Sequence, residues 1–205
     1  MLTLAIQAGG ESRRMGSDKA LLPFLGQPII LRLLNRLAGI AEEVLITSNQ
    51  PENYRFLGLA PIPDLLPGCG ALGGLYTALN AASHPYVAVV ACDMPFASPE
   101  LFAVELALLR ETGVDAVIPR SEAGTEPFHA IYRCDICLPR VRAALDAGKR
   151  RVDAWFPGAN IRYLEPAESL PYDPKQLAFL NINTLDELKA AERIANEGIT
   201  HDYSS

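Results

Sequence analysis

The chain has 205 residues and a formal net charge of −6, from 18 lysines and arginines against 24 aspartates and glutamates. This length suits a single domain with a sizeable core, and the acidic balance argues against a general nucleic-acid-binding surface. No apolar stretch approaches the ~20 residues that a membrane span requires, and the first residues do not read as a secretory signal. We therefore expect a cytoplasmic protein with neither nucleic acid nor membrane as a partner.

The first half of the chain alternates strand and helix signals. In order, these predict an apolar strand at Leu2–Ile6, a helix at Pro28–Ala38, a strand at Glu43–Thr47, a small-residue helix at Leu72–Ala82 and a strand at Tyr86–Cys92. The last segment is almost entirely apolar, which is typical of a central parallel strand buried on both faces.

The next helix has clear signals at both of its ends. Ser98 suits the N-cap, Pro99 the first helical position and Glu100 the first turn. We expect this helix to continue to about Arg110 and to end at Gly113.

Further strands are predicted at Asp115–Pro119 and Phe128–Arg133, followed by a helix at Leu138–Ala147. A last helix is expected to begin at Thr184, with Glu187 at the capping-box position. Alternating β and α units predict a three-layer α/β/α sandwich with a mostly parallel, Rossmann-like sheet. We expect one domain over residues 1–197 and a loose tail over residues 198–205.

The four cysteines, at positions 69, 92, 134 and 137, are compatible with a reducing compartment. Cys134 and Cys137 form a lone C-x-x-C pair, whereas a structural zinc site would need a second pair or nearby histidines. His84, His129 and His201 lack ligand spacing. We therefore predict packed, unpaired thiols.

The loop after the first strand gathers positive charge beside glycine. Residues 7–19 read QAGGESRRMGSDK, where Gly9 and Gly10 allow backbone N–H groups to approach an anion closely. Arg14 and Lys19 would face phosphate, while Arg13 could turn either way. The loop lacks the P-loop pattern. It indicates a triphosphate cradle, with a solvated surface turn as the alternative.

Asp93 follows the most apolar strand, in Cys92-Asp93-Met94-Pro95. Ligands of parallel α/β sheets bind at the carboxyl ends of strands, where a carboxylate could hold Mg²⁺ that bridges phosphates. The alternative is an aspartate that caps the following turn.

A second glycine-rich stretch formally matches the dinucleotide-binding pattern. Gly68, Gly70 and Gly73 spell G-x-G-x-x-G, and Asp93 lies about twenty residues beyond. An NAD-binding dehydrogenase is therefore an alternative that titration with NAD(H) would decide. However, the pattern requires a firm strand before it, and prolines interrupt Leu59–Leu66.

Taken together, these motifs resemble those of the molybdenum cofactor guanylyltransferases (MobA-type), within the nucleotide-diphospho-sugar type of nucleotidyltransferases. The opening motif L-A-G-G-x-S-x-R-M-G-x-D-K-A-L-L is met by QAGGESRRMGSDKALL, and C-D-M-P by residues 92–95. G-P-L-A-G-L is matched by residues 70–75, and N-x-N-T-x-x-x-L by residues 181–188. The resemblance spans nearly the whole chain.

The resemblance implies transfer of GMP from GTP to the phosphate of molybdopterin, with release of pyrophosphate and with Mg²⁺ as cofactor. Protein partners would be molybdoenzymes or cofactor carriers. The residues implied in catalysis are Arg14, Lys19 and Asp93, of which Asp93 would also bind the metal. Those implied in nucleotide binding are Ala8, Gly9, Gly10, Lys19, Asn49, Asp64, Gly70, Gly73 and Asp93. Those implied on the acceptor side are Arg150, Arg151, Asn181 and Asn183.

The chain departs from the family pattern at two places. Gln7 replaces the usual Leu, which places an amide at the end of the first strand; it could bond base or phosphate, or indicate an altered role. Ala71 and Gly73 replace Pro and Ala in the third loop. A glycine-rich third loop favours GTP over CTP, since the relatives that transfer CMP usually have serines there. CMP transfer, a sugar-1-phosphate nucleotidyltransferase and a non-catalytic GTP-binding protein remain alternatives.

Overall fold

The computed structural model of the chain describes residues 1–8 and 18–202, with side chains described up to residue 197. The strands in these ranges are β1 (Leu2–Gln7), β2 (Pro23–Phe24), β3 (Gln27–Pro28), β4 (Glu43–Thr47), β5 (Tyr86–Ala91), β6 (Ala116–Ser121), β7 (Gly124–Thr125), β8 (His129–Arg133) and β9 (Ile161–Leu164). The α-helices are α1 (Ile29–Leu37), α2 (Gly70–Ala81), α3 (Pro99–Thr112), α4 (Cys134–Asp146), α5 (Pro166–Ser169) and α6 (Leu185–Asp202). Segments of 3₁₀ helix lie at Lys19–Leu21, Ala38–Ile40, Pro51–Leu57 and Val152–Trp155.

The central sheet has the strand order β4-β1-β5-β8-β6, with β9 on the far side of β6 and β7 folded back against the end of β6. Strand β1 is parallel to both β4 and β5, and β6 is parallel to β9. Strand β8 runs antiparallel between β5 and β6. The prediction of a mostly parallel sheet is confirmed, and the carboxyl ends of β4, β1 and β5 share one edge.

Two apolar layers cover the two faces of the sheet, as the three-layer prediction requires. Alternation along β1 sends Leu4 and Ile6 into a core with helices α1, α3 and α6. The residue between them, Ala5, packs instead with helices α2 and α4. Strand β5 divides in the same way, because both of its faces are buried. None of the described helices has the length and apolarity to cross a membrane.

Every predicted strand and helix is present, and most of their bounds are shifted. Helix α3 begins at its predicted N-cap, where the Ser98 hydroxyl accepts from the Leu101 N–H at 3.2 Å, and it ends at Gly113 in the left-handed conformation. Helix α4 begins at Cys134, four residues before the predicted start, with Pro139 inside it. Helix α6 continues to Asp202, beyond residue 197, so the proposed domain limit does not coincide with a helix end.

The cysteine thiols are unpaired, as predicted. The thiol of Cys134 donates to the Leu79 carbonyl at 3.0 Å, and the thiol of Cys137 to the Asp115 carbonyl at 3.2 Å. Burial raises the pKa of both thiols. These side chains therefore serve as packed donors between α4 and its neighbours.

Candidate active site

Three polar loops leave the carboxyl edge of the sheet side by side. The backbone N–H of Ala8, just after β1, donates to the Thr47 carbonyl at the end of β4 at 2.9 Å. The N–H of Cys92, just after β5, donates to the Gln7 carbonyl at 3.0 Å. The strand pairing therefore brings together the loops that carry Ala8, Asn49 and Asp93.

A lysine, a carboxylate and an amide meet at this edge. The ammonium of Lys19 lies 3.4 Å from Asp93 Oδ2 and donates to Asn183 Oδ1 at 2.7 Å. Only about a fifth of the Lys19 and Asp93 side chains is exposed: 20% and 19%. Three residues that are distant in sequence thus form one cluster, and the partial burial of Lys19 and Asp93 makes their charge contact stronger than in open solvent.

The start of α6 is anchored directly to the loop after β5. The Ile182 N–H donates to the Asp93 carbonyl at 2.9 Å. One carboxylate oxygen of Glu187 accepts from the N–H groups of Asn183 at 2.6 Å and Thr184 at 3.0 Å. This is the capping box that the sequence predicted, and it holds the Asn183 amide beside Lys19.

Burial raises the pKa of Asp93 above its ordinary value, with a further upward contribution from the Glu187 charge. The Lys19 ammonium and its hydrogen bond act in the opposite direction. The residues fit a magnesium ion, because a carboxylate oxygen and an amide oxygen are hard ligands. No group of three or more acidic, histidine or cysteine ligands occurs among the described residues, and Mg²⁺ in phosphate-binding sites commonly takes one or two carboxylates.

Sequence reasoning missed Tyr54, which lies in the 3₁₀ segment Pro51–Leu57. Its fully buried hydroxyl donates to Asp18 Oδ2 at 2.5 Å and lies 3.4 Å from the Ala8 carbonyl oxygen. Asp18 also caps the segment that begins with Lys19, because its other oxygen accepts from the Ala20 N–H at 3.1 Å. Burial and the Asp18 carboxylate raise the pKa of Tyr54, so the phenol stays protonated. Tyr54 therefore joins the segments on both sides of residues 9–17.

Asn49 and Asp64 bind each other. The Asn49 amide donates to Asp64 Oδ2 at 2.8 Å, and its oxygen accepts from the Asp64 N–H at 2.9 Å. The loop between them is tied to β4 by a bridge between Thr47 and Ile62. Both predicted nucleotide-binding residues thus lie together at the outer side of the sheet edge, exposed to solvent.

The glycine-rich stretch forms the first turn of α2. Gly70 has a left-handed φ of +60°, and a Cβ at Gly73 would lie 2.7 Å from Cys69 Cβ, too close for any side chain. The Leu72 N–H donates to the Arg150 carbonyl at 3.3 Å, which attaches the 149–151 segment to this helix. No strand directly precedes α2, so the dinucleotide-binding alternative lacks its required context.

The remaining predicted residues lie around this centre. The Arg150 guanidinium donates to the Lys149 carbonyl at 2.8 Å, while Arg151 pairs with Asp153 at 2.8 Å and is 85% exposed. The Asn181 amide donates to the Phe179 carbonyl at 3.1 Å, away from the Lys19 cluster. The predicted residues Gly9, Gly10 and Arg14 lie outside the described residues.

Residues 4–160 match the model of the MobA-like NTP transferase domain. A protein of Pelotomaculum thermopropionicum named "Probable molybdenum cofactor guanylyltransferase" is 35% identical over 198 residues, covering 97% of this chain and 95% of that protein. The molybdenum cofactor guanylyltransferase of Desulfosudis oleivorans is 30% identical over 198 residues, covering 96% and 97%.

The fold also matches a solved structure. The crystal structure of molybdopterin-guanine dinucleotide biosynthesis protein A from Archaeoglobus fulgidus superposes with a TM-score of 0.83. It is 27% identical in sequence, and the match covers 95% of this chain and 99% of that one.

Proposed function

The chain belongs to the MobA-like NTP transferase family, and from that premise we propose that it transfers GMP from GTP to the terminal phosphate of molybdopterin. An oxygen of that phosphate forms a bond with the α-phosphorus of GTP. The bond from the α-phosphorus to the bridging oxygen breaks in line, and pyrophosphate leaves. The single observation that carries the proposal is the cluster of Lys19, Asp93 and Asn183 at the carboxyl edge of the sheet.

Lys19 supplies positive charge that is already oriented before the triphosphate arrives. Its ammonium is held by Asp93 and Asn183, so little reorganisation is needed when negative charge develops on the leaving pyrophosphate. The Asp93 carboxylate would hold Mg²⁺, which when bound supplies further positive charge to the triphosphate oxygens. Positioning and charge neutralisation suffice for this reaction class, without a covalent enzyme intermediate.

The other predicted residues divide between the two substrates. Asn49, Asp64 and the first turn of α2 are proposed to hold the base and ribose, together with the backbone at Ala8. Arg150 and Arg151, which are exposed cations beside α2, are proposed to face the molybdopterin phosphate. Delivery of the product to molybdoenzymes or cofactor carriers, in the cytoplasm, is part of the same proposal.

The proposal is tested by pyrophosphate release with each of the four nucleoside triphosphates, Mg²⁺ and molybdopterin. We expect release with GTP that requires molybdopterin. A preference for CTP would contradict guanylyl transfer, and release without the acceptor would contradict transfer altogether.

Asp93→Ala should abolish turnover while the fold is retained, because the structural bond to Ile182 uses the Asp93 backbone carbonyl. Asp135→Ala is the matched control. Asp135 is an exposed carboxylate in the first turn of α4, at the opposite edge of the sheet, where Arg133 pairs with Tyr86. Near-normal transfer by a folded Asp93→Ala protein would contradict the role of this cluster.

A further inference from the structure

The side chain of Gln7 ends in a buried amide that the mechanism above does not use. Gln7 is the last residue of β1 and is only 8% exposed. Its Nε2 has no hydrogen-bond partner among the residues that the structure describes. A buried N–H donor without a partner costs free energy, which a bound acceptor would recover.

A glycine on α2 makes room for this amide. A Cβ at Gly74 would lie 3.0 Å from Gln7 Oε1 and 3.5 Å from its carboxamide carbon. The amide therefore lies against the first turns of α2, beneath the glycine-rich stretch that begins at Gly70. The amide oxygen is the Gln7 atom nearest to that Cβ position, and the nitrogen, 3.7 Å from it, is the atom without a hydrogen-bond partner.

The location of Gln7 separates it from the phosphate-binding charges. Ala8 belongs to the core on the α1 and α6 face of the sheet, and so does Ile182, which binds the Asp93 carbonyl. Side chains alternate along β1, so Gln7 lies on the same face as Ala5, which packs against α2. The Lys19 cluster therefore lies toward the opposite face of β1 from the Gln7 amide.

Neutral polar groups border Gln7 instead. Its register partner on β4 is Thr47, two residues before Asn49. The loop that carries Asp64 returns to α2, because the Leu65 N–H donates to Thr77 Oγ1 at 3.0 Å. A neutral donor amide on the opposite face of β1 from the Lys19 ammonium suits the carbonyl of a nucleobase better than a phosphate oxygen.

We propose that Gln7 reads the O6 carbonyl of guanine, with Nε2 as the donor, and so helps to select GTP. This inference rests on the proposed function and assigns it a specificity residue at a position where the resembling family has Leu.

The test uses substrate analogues on the full-length protein. Wild type and Gln7→Met are compared with GTP, with ITP, which keeps O6 but lacks the 2-amino group, and with 2-aminopurine riboside triphosphate, which lacks O6. Methionine has a similar length but cannot donate. We expect Gln7→Met to lower kcat/KM for GTP and ITP by roughly tenfold to a hundredfold, and to leave the 2-aminopurine substrate nearly unchanged.

The discrimination ratios decide the inference. The ratio of GTP to the 2-aminopurine substrate should collapse in Gln7→Met, while the ratio of GTP to ITP stays at its wild-type value. An unchanged GTP to 2-aminopurine ratio, with normal GTP turnover in wild type, would overturn the role of Gln7 alone. Failure of wild type to bind or turn over GTP would instead contradict the proposed function.

Gly74→Ala is a second variant, in which residue 7 is still glutamine. Alanine favours a helix over glycine, so α2 should be retained, but the new methyl group would lie 3.0 Å from Gln7 Oε1 and should shift the amide from its position. The same loss of O6 discrimination is expected in equilibrium binding of the three nucleotides, measured by calorimetry. A folded Gly74→Ala protein with wild-type discrimination would also overturn the inference.

Discussion

Lys19 is one ammonium group that contacts two oxygen acceptors from distant parts of the chain. Asp93 lies 74 residues away in sequence and Asn183 lies 164 residues away. A flexible lysine side chain loses considerable rotamer freedom when it is held at one position. Because both partners are already in place, this entropic cost is met by folding rather than by substrate binding.

Replacement of Lys19 by alanine tests this arrangement. We expect Lys19→Ala to lower kcat/KM for GTP by roughly 10²- to 10³-fold, the scale found when one preorganised charge contact to a transition state is removed. Steady-state pyrophosphate release measures the loss. Lys175→Ala is the control, since Lys175 is an exposed lysine outside this cluster. Equal rates for Lys19→Ala and wild type would contradict the electrostatic role.

Sequence patterns indicated some site residues but not their contacts. Lys19 and Asp93 each follow a strongly apolar strand, so local patterning was enough to single them out. The hydrogen bond between Tyr54 and Asp18 was not predictable, because the two residues are 36 positions apart and only the packing of their loops brings them into contact. The same is true of Asn49, whose reciprocal bonds with Asp64 depend on how the 50–63 loop folds back on β4.

Helix α3 shows how local signals fix an element at both ends. Ser98 caps the first turn, and at the other end the Gly113 N–H donates to the Leu109 carbonyl at 3.1 Å. Gly113 has φ of +66°, and the space around a built Cβ is open. The requirement for glycine at this end is therefore one of backbone conformation and not of packing.

Gly113→Ala should lower the free energy of unfolding by about 1 kcal/mol, because an L side chain is disfavoured in the left-handed region. Gly39→Ala is the matched control: its Cβ also has open space, but its φ is not in the left-handed region. Urea denaturation of both variants measures the difference. Equal stability of the two variants would show that backbone conformation at Gly113 carries no cost.

The first and last residues of a strand or helix were predictable where the pattern of polar and apolar residues is clear or where capping residues mark the ends. Strand β4 has the predicted bounds Glu43–Thr47, whereas α4 begins at Cys134, four residues before the predicted start, and contains Pro139. Pro139 is the sixth residue of this helix and has no backbone N–H to donate, which usually disfavours proline at an interior helical position. Strand β9 was missed, since its four residues at Ile161–Leu164 have no alternation of buried and exposed positions.

At the scale of the molecule, α3 and β8 bury a titratable pair between them. Glu105 and His129 are both fully buried. The Ser98 N–H donates to His129 Nε2 at 3.2 Å, so Nδ1 carries the ring proton and donates to Glu105 Oε1 at 3.0 Å. Burial lowers the pKa of His129 to about 3 and raises the pKa of Glu105 well above 4.5. Burial therefore favours the neutral form of both groups in the folded protein.

Proton counting gives the pH dependence of stability that this pair confers. Between the ordinary pKa values of 4.5 and 6.5, the unfolded chain protonates His129 and the folded protein protonates Glu105, so the two effects cancel. Below pH 4.5 the unfolded chain holds one more proton than the folded protein, and stability falls as the pH falls. At higher pH the offset from His129 ends, and stability falls as the pH rises toward the raised pKa of Glu105.

Glu105→Gln should move the onset of acid destabilisation from about pH 4.5 to about pH 6.5. The amide oxygen still accepts from His129, but the compensating proton on Glu105 is gone, so the His129 effect alone remains. Between pH 6.5 and pH 4.5, the free energy of unfolding of the variant relative to wild type should decline by about 1.4 kcal/mol per pH unit, a total of about 2 to 3 kcal/mol. Urea denaturation at pH 4 to 8 gives the difference curve, in which the other groups cancel. Glu111→Gln, which replaces an exposed glutamate on the same helix, is the control variant. A flat difference curve for Glu105→Gln would show that the buried pair does not exchange its proton in this way.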